Sequence, residues 1–68
     1  MKISARNVLE GTIKDIKKGA TTSLIHVDVH GATVTSSITN DSVDDLGLKA
    51  GMKVKVVIKS SDVMVMTE

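Results

Sequence analysis

The chain has 68 residues, enough for a single domain spanning residues 1–68. Nine Lys and Arg residues against eight Asp and Glu leave a net charge of +1, which argues against the strongly basic balance of a nucleic-acid-binding domain. No Phe, Tyr, Trp, Cys or Pro is present, so neither aromatic side chains nor disulfides can strengthen the small core. Small scaffolds without such supports often gain stability by association, and we therefore expect an oligomer.

The cellular location is predicted from what the composition lacks. No apolar run reaches the length of a membrane span, and no secretion signal is visible at the start. The absence of cysteine fits a reducing compartment. These features predict a cytoplasmic protein that does not associate with a membrane.

Alternation of apolar and polar residues dominates the first half of the chain and predicts half-buried β-strands. The first strand is expected over residues 8–14, with a polar turn at residues 17–20. The second covers residues 25–30, in which the apolar residues share one face. Gly31 then predicts a tight hairpin into a third strand over residues 32–38.

The pattern changes at residues 39–42, whose sequence Thr-Asn-Asp-Ser is rich in helix-capping residues. Two acids follow, Val43 and Leu46 form a short apolar stripe, and Gly47 or Gly51 can end the element. We predict one short helix of about two turns here. A fourth strand is expected over residues 52–59, a turn at residues 60–62 and a fifth strand over residues 63–66.

This order of elements predicts an all-β fold. Five short strands with one helix between the third and the fourth is the order of an OB-like Greek-key barrel. A five-stranded barrel of the SH3-like type fits the alternation nearly as well.

Two places depart from the alternation. The fifth strand, Val-Met-Val-Met at residues 63–66, is apolar on both faces, and Val57 stands among lysines on the polar face of the fourth strand. Since a strand that is apolar on both faces is normally covered on both, we expect a partner chain to cover this one. The alternative is a loose, partly exposed terminus.

Few residues suit catalysis or metal binding. His26 and His30 lie on one face of a strand, where their separation of roughly 13 Å is too large for two ligands of one metal ion. They are therefore interpreted as a solvated stripe with Asp28 between them. No nucleophile elbow and no glycine-rich phosphate loop occurs, so we predict that the protein is not an enzyme.

Two clusters combine small hydrogen-bond donors with a cation. Ser4 and Arg6 lie at the start of the first strand, and Lys59 and Ser60 lie at the turn after the fourth. Residues 39–42 add hydroxyls and unpaired N–H groups at the start of the helix. A dianion such as molybdate or sulfate accepts hydrogen bonds only, and such donors suit it. The alternative is that these residues are ordinary caps, turns and solvated lysines.

The whole chain resembles the molybdate-binding Mop proteins, or molbindins. The residues that carry this resemblance are the Ser-Ala-Arg-Asn start at 4–7, Leu9, Glu10, Gly11, Thr12 and Ile13, then Ile38, Thr39 and Ser42, the turn residues at 46–48 and 50–51, and the Val-Val-Ile-Lys stretch at 56–59. The resemblance implies an OB-like barrel and a hexamer, a trimer of dimers, that binds molybdate or tungstate between subunits. It also implies intracellular molybdenum storage and homeostasis.

The resemblance also assigns oxyanion-binding residues. Ser4 and Arg6 match the ligands of the first strand. The donors that match those supplied by a neighbouring chain are Thr39, Ser42, Lys59 and Ser60. Relatives often carry alanine in place of Ser60, which makes its backbone N–H the expected ligand. A second class of site near a threefold axis is implied, for which the turn at Gly19 and Ala20 is the candidate.

Two other functions fit an OB-like barrel. One is a module that binds single-stranded nucleic acid, although the chain lacks the aromatic side chains on which such domains stack bases. The other is an assembly domain without a ligand.

Overall fold

The structure, a computed structural model, describes residues 3–68 and contains four strands and one α-helix within them. These elements are β1 (Asn7–Lys18), β2 (Thr22–Val29), β3 (Ala32–Thr39), α1 (Asn40–Leu46) and β4 (Lys53–Ile58), followed by a 3₁₀ turn at Ser60–Asp62. The strands form one antiparallel sheet in the order β3-β2-β1-β4. The prediction of a mainly β fold with one helix between the third and fourth strands is confirmed.

Strand β1 is longer than predicted because it contains a β-bulge. Ile13 pairs with Val27, whereas Asp15 pairs with His26, so the register shifts between Ile13 and Asp15. Because of the extra residue, the Ile16 side chain lies on the inner face and packs against the core that contains Ile13. The prediction that residues 17 and 18 belong to the turn was wrong, since strict alternation breaks at the bulge while the strand continues.

The hairpin between β2 and β3 forms at the predicted place. His30 and Gly31 both have positive φ angles, 50° and 89°, as a two-residue turn between twisted strands requires. The strands then pair in register from Val29 with Ala32 to Thr22 with Thr39. The apolar residues of β2 therefore face inward together, as expected from their alternation.

Helix α1 follows β3 without a linker. Thr39 caps its start, because its side chain accepts a hydrogen bond from the N–H of Ser42. Gly47 ends it in the left-handed conformation, with φ at 64°. Val43 is the buried residue of the helix and joins it to the sheet.

The core lies on one side of the curved sheet and beneath α1. Its buried apolar residues are Ile13, Ile25, Val27, Val29 and Val43. The loop before β4 is tied to it, since Ile13 exchanges backbone hydrogen bonds with Met52 (2.9 Å) and Gly51 (2.8 Å). No helix within residues 3–68 has both the length and the apolar character needed to cross a bilayer.

The predicted fifth strand does not form within the described residues. Met64, Val65 and Met66 lie outside any strand and are 93%, 90% and 92% exposed. An apolar groove of about 380 Å³ meanwhile remains open, with Ile38 of β3 and Val56 of β4 among its lining residues. Within residues 3–68 the sheet thus has four strands, because no other segment of the described chain covers residues 63–66, which are apolar on both faces.

Val57 lies where the alternation placed it, on the outer face of β4. It pairs with Val8 of β1, and both side chains are partly exposed. The outer face therefore carries one apolar pair near the end of the sheet where β1 begins.

Candidate functional site

The six predicted donors fall into two groups according to the elements that carry them. The first, called here the β1–β4 group, contains Ser4, Arg6, Lys59 and Ser60. The second, the α1 group, contains Thr39 and Ser42. The hydrogen bonds and ion pairs found within residues 3–68 join no member of one group to a member of the other.

The β1–β4 group is assembled by the last pair of a strand ladder. Asn7 pairs with Ile58, and the Asn7 Nδ2 donates to the Ile58 carbonyl at 3.3 Å. Because the strands are antiparallel, Arg6 and Lys59 leave the ladder side by side. Within residues 3–68 the carboxylates that contact a basic side chain are Asp44, beside Lys18, and Asp15, beside His26, so these two adjacent cations have no carboxylate partner there.

The 3₁₀ turn after β4 supplies backbone donors to the same place. The N–H of Asp62 donates to the Lys59 carbonyl at 2.9 Å, and that of Val63 to the Ser60 carbonyl at 3.3 Å. For the N–H groups of Ser60 and Ser61, the described residues provide no acceptor. Unused N–H groups beside two cations form a donor-rich corner that suits an anion.

The α1 group is linked by its own hydrogen bonds. The Thr39 hydroxyl accepts from the Ser42 N–H at 3.1 Å and donates to the Ser42 hydroxyl oxygen at 2.9 Å. Since Thr39 has then used its only proton, the proton of the Ser42 hydroxyl is the one left for a ligand. The helix itself has seven residues, so these side chains are more important here than its dipole.

Asn40, which lies between these two donors, was not among the predicted site residues. Asn40 appeared in the sequence only as one of several capping residues, yet its side chain bonds to the β1–β2 turn and to Ser23. An asparagine in a capping sequence does not reveal bonds to a turn about twenty residues away.

The β1–β2 turn, predicted to form a second site, already makes hydrogen bonds within the protein. The carbonyl groups of Gly19 and Ala20 accept hydrogen bonds from Asn40, and the N–H of Gly19 donates to the Thr22 carbonyl at 2.8 Å. The assignment of a second site to this turn stays a prediction.

The two histidines are separated by the structure. His26 bonds through Nδ1 to an Asp15 carboxylate oxygen across the β1–β2 ladder, whereas His30 lies in the hairpin turn. Residues 3–68 contain no group of three or more His, Cys, Asp or Glu side chains that could hold a metal ion. A shallow groove of about 590 Å³ near His30 includes the carboxylates of Glu10 and Asp28. Lys53, Lys55 and His30 line the same groove, and none of the six predicted donors lies in it.

Comparisons with known proteins identify relatives over nearly the whole chain. Residues 3–65 match the TOBE domain family. Molybdenum-pterin-binding protein 3 of Clostridium pasteurianum is 46% identical over 67 residues, covering 97% of this chain and 98% of the relative. A probable molybdenum-pterin-binding protein of Haemophilus influenzae is 39% identical over 69 residues, covering 100% of both chains.

Solved structures with the same architecture are those of molybdate-binding proteins. A molybdate-binding protein from Sporomusa ovata superposes with a TM-score of 0.94 at 43% identity, covering 98% of this chain and 100% of its own. The cytoplasmic molybdate-binding protein ModG, with molybdate bound, gives 0.89 at 40% identity, covering 94% of this chain and 46% of its own. The match favours the OB-like alternative over the SH3-like one. The chain therefore belongs to the TOBE domain family and, within it, to the molybdenum-pterin-binding (Mop) proteins.

Proposed function

We propose that this protein binds molybdate at sites formed between copies of the chain and serves the intracellular storage and homeostasis of molybdenum. The observation that carries the proposal is that Arg6, Lys59 and the unused N–H groups of the 3₁₀ turn lie together at one end of the β1–β4 ladder, with no carboxylate partner within residues 3–68. The β1–β4 group and the α1 group are each too small to surround a tetrahedral anion, and together they supply hydroxyls, N–H groups and two cations. The relatives, named for molybdenum-pterin binding or molybdate binding, supply the identity of the ion.

The composite site places the α1 group of one chain against the β1–β4 group of another. Lys59 and Arg6 would offset the charge of the dianion, and the Ser42 hydroxyl and the Ser60 N–H would bond to its oxygens. The pairing differs from that implied by the resemblance, which places Lys59 with Thr39 on the neighbouring chain. The ladder pair of Asn7 with Ile58 supports the pairing proposed here, since it puts Arg6 and Lys59 of one chain together.

The same association would complete the barrel. We infer that residues 63–66 form a fifth strand against the groove between β3 and β4 when chains associate, and that the assembly is a hexamer built as a trimer of dimers. The exposed tail and the open apolar groove support this inference, since each leaves in water a surface that the other could cover.

The proposed role is binding without catalysis, in the cytoplasm. The relatives are described as binding proteins, and ModG as cytoplasmic. Tungstate has nearly the size and charge of molybdate, so the site should accept both, whereas the smaller sulfate should fit poorly.

Native mass spectrometry with and without molybdate tests the proposal directly. We expect one oligomer that gains a fixed number of molybdate ions, and a melting temperature that rises with molybdate and with tungstate. Sulfate at the same concentration is the control. Equal stabilisation by sulfate, or binding of molybdate to a monomer, would contradict the proposed site.

A further inference from the structure

Asn40, the first residue of α1, is bonded to the β1–β2 turn through its side chain and its backbone. Its Nδ2 donates to the carbonyl oxygens of Gly19 at 3.0 Å and Ala20 at 3.3 Å. Its backbone N–H donates to the Thr21 carbonyl at 2.9 Å, and its Oδ1 accepts from the Ser23 hydroxyl at 2.5 Å. One residue thus connects the start of the helix to a segment 17 to 21 residues earlier.

These hydrogen bonds fix the orientation of the Asn40 side-chain amide, with Oδ1 toward Ser23 and Nδ2 toward the turn. With Oδ1 and Nδ2 exchanged, an oxygen would face the two carbonyl oxygens of the turn. Ser23 supports the same amide orientation, because it is only 1% exposed and its buried hydroxyl needs a hydrogen-bond partner. Among residues 3–68, Ser23 is the buried polar residue, and Asn40 satisfies it.

The geometry points to Asn40 as a positioning residue for the molybdate site, an inference that rests on the proposed function. Both protons of its Nδ2 are directed to turn carbonyls, so the side chain is not itself a ligand donor. It acts on Thr39 and Ser42, which lie one residue before it and two residues after it. Its bonds fix where these hydroxyls stand relative to the sheet.

The helix cannot fix that position alone. With seven residues, α1 is too short to be stable in isolation, and its geometry depends on contacts with the rest of the fold. Val43 anchors the helix in the core, and Gly47 ends it. Thr39 itself is held by its ladder pair with Thr22, but that pairing ends where the helix begins and leaves the first turn, with Ser42, free to shift. Asn40 removes this freedom at the end of the helix where the donors lie.

Calorimetric titration with molybdate tests the inference, using Asn40→Ala and a core control, Val29→Ala. Val29 is buried near the β2–β3 turn, away from the start of α1, so its variant measures destabilisation alone. All titrations are made at a temperature where each protein is folded. We expect Asn40→Ala to weaken molybdate binding by about tenfold or more, as loss of a residue that orients a ligand commonly does. Val29→Ala should bind within about twofold of the unaltered protein. Equal affinity of the two variants overturns the inference.

Amide hydrogen exchange gives a measurement that needs no ligand. The Ser42 N–H is protected by Thr39, and in Asn40→Ala its exchange should accelerate by about tenfold relative to that of Ile25 in the core. If Asn40→Ala fails to fold, Asn40→Asp keeps the acceptor for Ser23 and replaces the donors to the turn by an oxygen that faces the two turn carbonyls. It is assessed by exchange, because its charge would itself repel an anion.

The two measurements separate the two proposals. An unaltered protein that fails to bind molybdate refutes the proposed function, while the exchange comparison still decides whether Asn40 positions Thr39 and Ser42. Unchanged relative exchange at Ser42 in the variants overturns the positioning role.

Discussion

Thr39 and Ser42 exchange two hydrogen bonds across the start of α1, one from the Ser42 N–H at 3.1 Å and one from the Thr39 hydroxyl at 2.9 Å. The two hydroxyls are therefore not equivalent. Thr39 caps the helix and orients Ser42, whereas Ser42 keeps a proton for a further acceptor. Substitutions at the two positions should consequently affect different properties.

Replacement of Thr39 should reduce the stability of the ligand-free protein. Thr39→Val keeps the shape of the side chain but loses the cap, for which we expect a loss of about 1 kcal/mol in the free energy of unfolding. Thr39→Ser, the matched control, retains the hydroxyl and should lose much less. Urea unfolding of both variants measures the difference, and equal losses would contradict the capping role.

Replacement of Ser42 should affect the ligand response instead. Ser42→Ala leaves its backbone N–H bonded to Thr39, so the ligand-free melting temperature should change little. The rise in melting temperature with molybdate should shrink, because one donor is lost. Val43→Ala should do the reverse, lowering stability by about 1–3 kcal/mol through loss of a buried side chain while the ligand still stabilises the protein. A full molybdate response in Ser42→Ala would remove Ser42 from the site.

Lys59 should contribute far more to molybdate binding than a lysine elsewhere on the same strand. Lys59→Ala and Lys53→Ala both remove one positive charge, but Lys53 faces Thr12 on the outer face of the sheet. We expect Lys59→Ala to abolish most of the melting-temperature rise with molybdate, and Lys53→Ala to preserve it. Equal effects would indicate that general charge attraction, rather than a built site, holds the ion.

The exposed tail should determine the oligomeric state. Val65→Asp places a charge in a segment that we propose to be buried on association, and should yield smaller species in light scattering after size exclusion. Thr67→Asp adds the same charge just beyond that segment and should leave the assembly intact. An unchanged oligomer in Val65→Asp would contradict the proposed fifth strand.

Gly11 should tolerate no side chain. A Cβ there would lie 2.7 Å from both the Asp28 carbonyl oxygen and the Val27 Cγ1, closer than van der Waals contact allows. Gly11→Ala should therefore lower the free energy of unfolding by about 1–3 kcal/mol. Thr35→Ala, on the exposed outer side of β3, should change it by less than about 0.5 kcal/mol.

The sequence predicted most of the fold because most of the fold depends on local patterns. Alternation located β2 and β3, the capping residues located α1, and Gly31 located the hairpin. The bulge near Lys14 was not predicted, since an inserted residue breaks the alternation from which a strand is recognised. The tail at residues 63–66 has the pattern of a strand but pairs with no strand among the residues that the structure describes.

The candidate donors could be predicted from the sequence, but the arrangement in which the fold places them could not. The donor clusters could be found because hydroxyls and cations are visible in a sequence. The adjacency of Arg6 and Lys59 could not, since it follows from the ladder pair of Asn7 with Ile58. The role of Asn40 was equally hidden, because its partners Gly19, Ala20 and Ser23 come together with it only in the folded chain.

If the donors of one site come from two chains, as proposed, the amount of ion that a cell could hold depends on assembly. A dilute, newly made chain would carry two half-sites and no complete one. Capacity would then grow more steeply than in proportion to the number of chains, since each added chain also shifts its neighbours toward assembly. Below the concentration at which chains associate, synthesis of this protein would withdraw almost no molybdate from solution. Above that concentration, a small further increase would create a reserve.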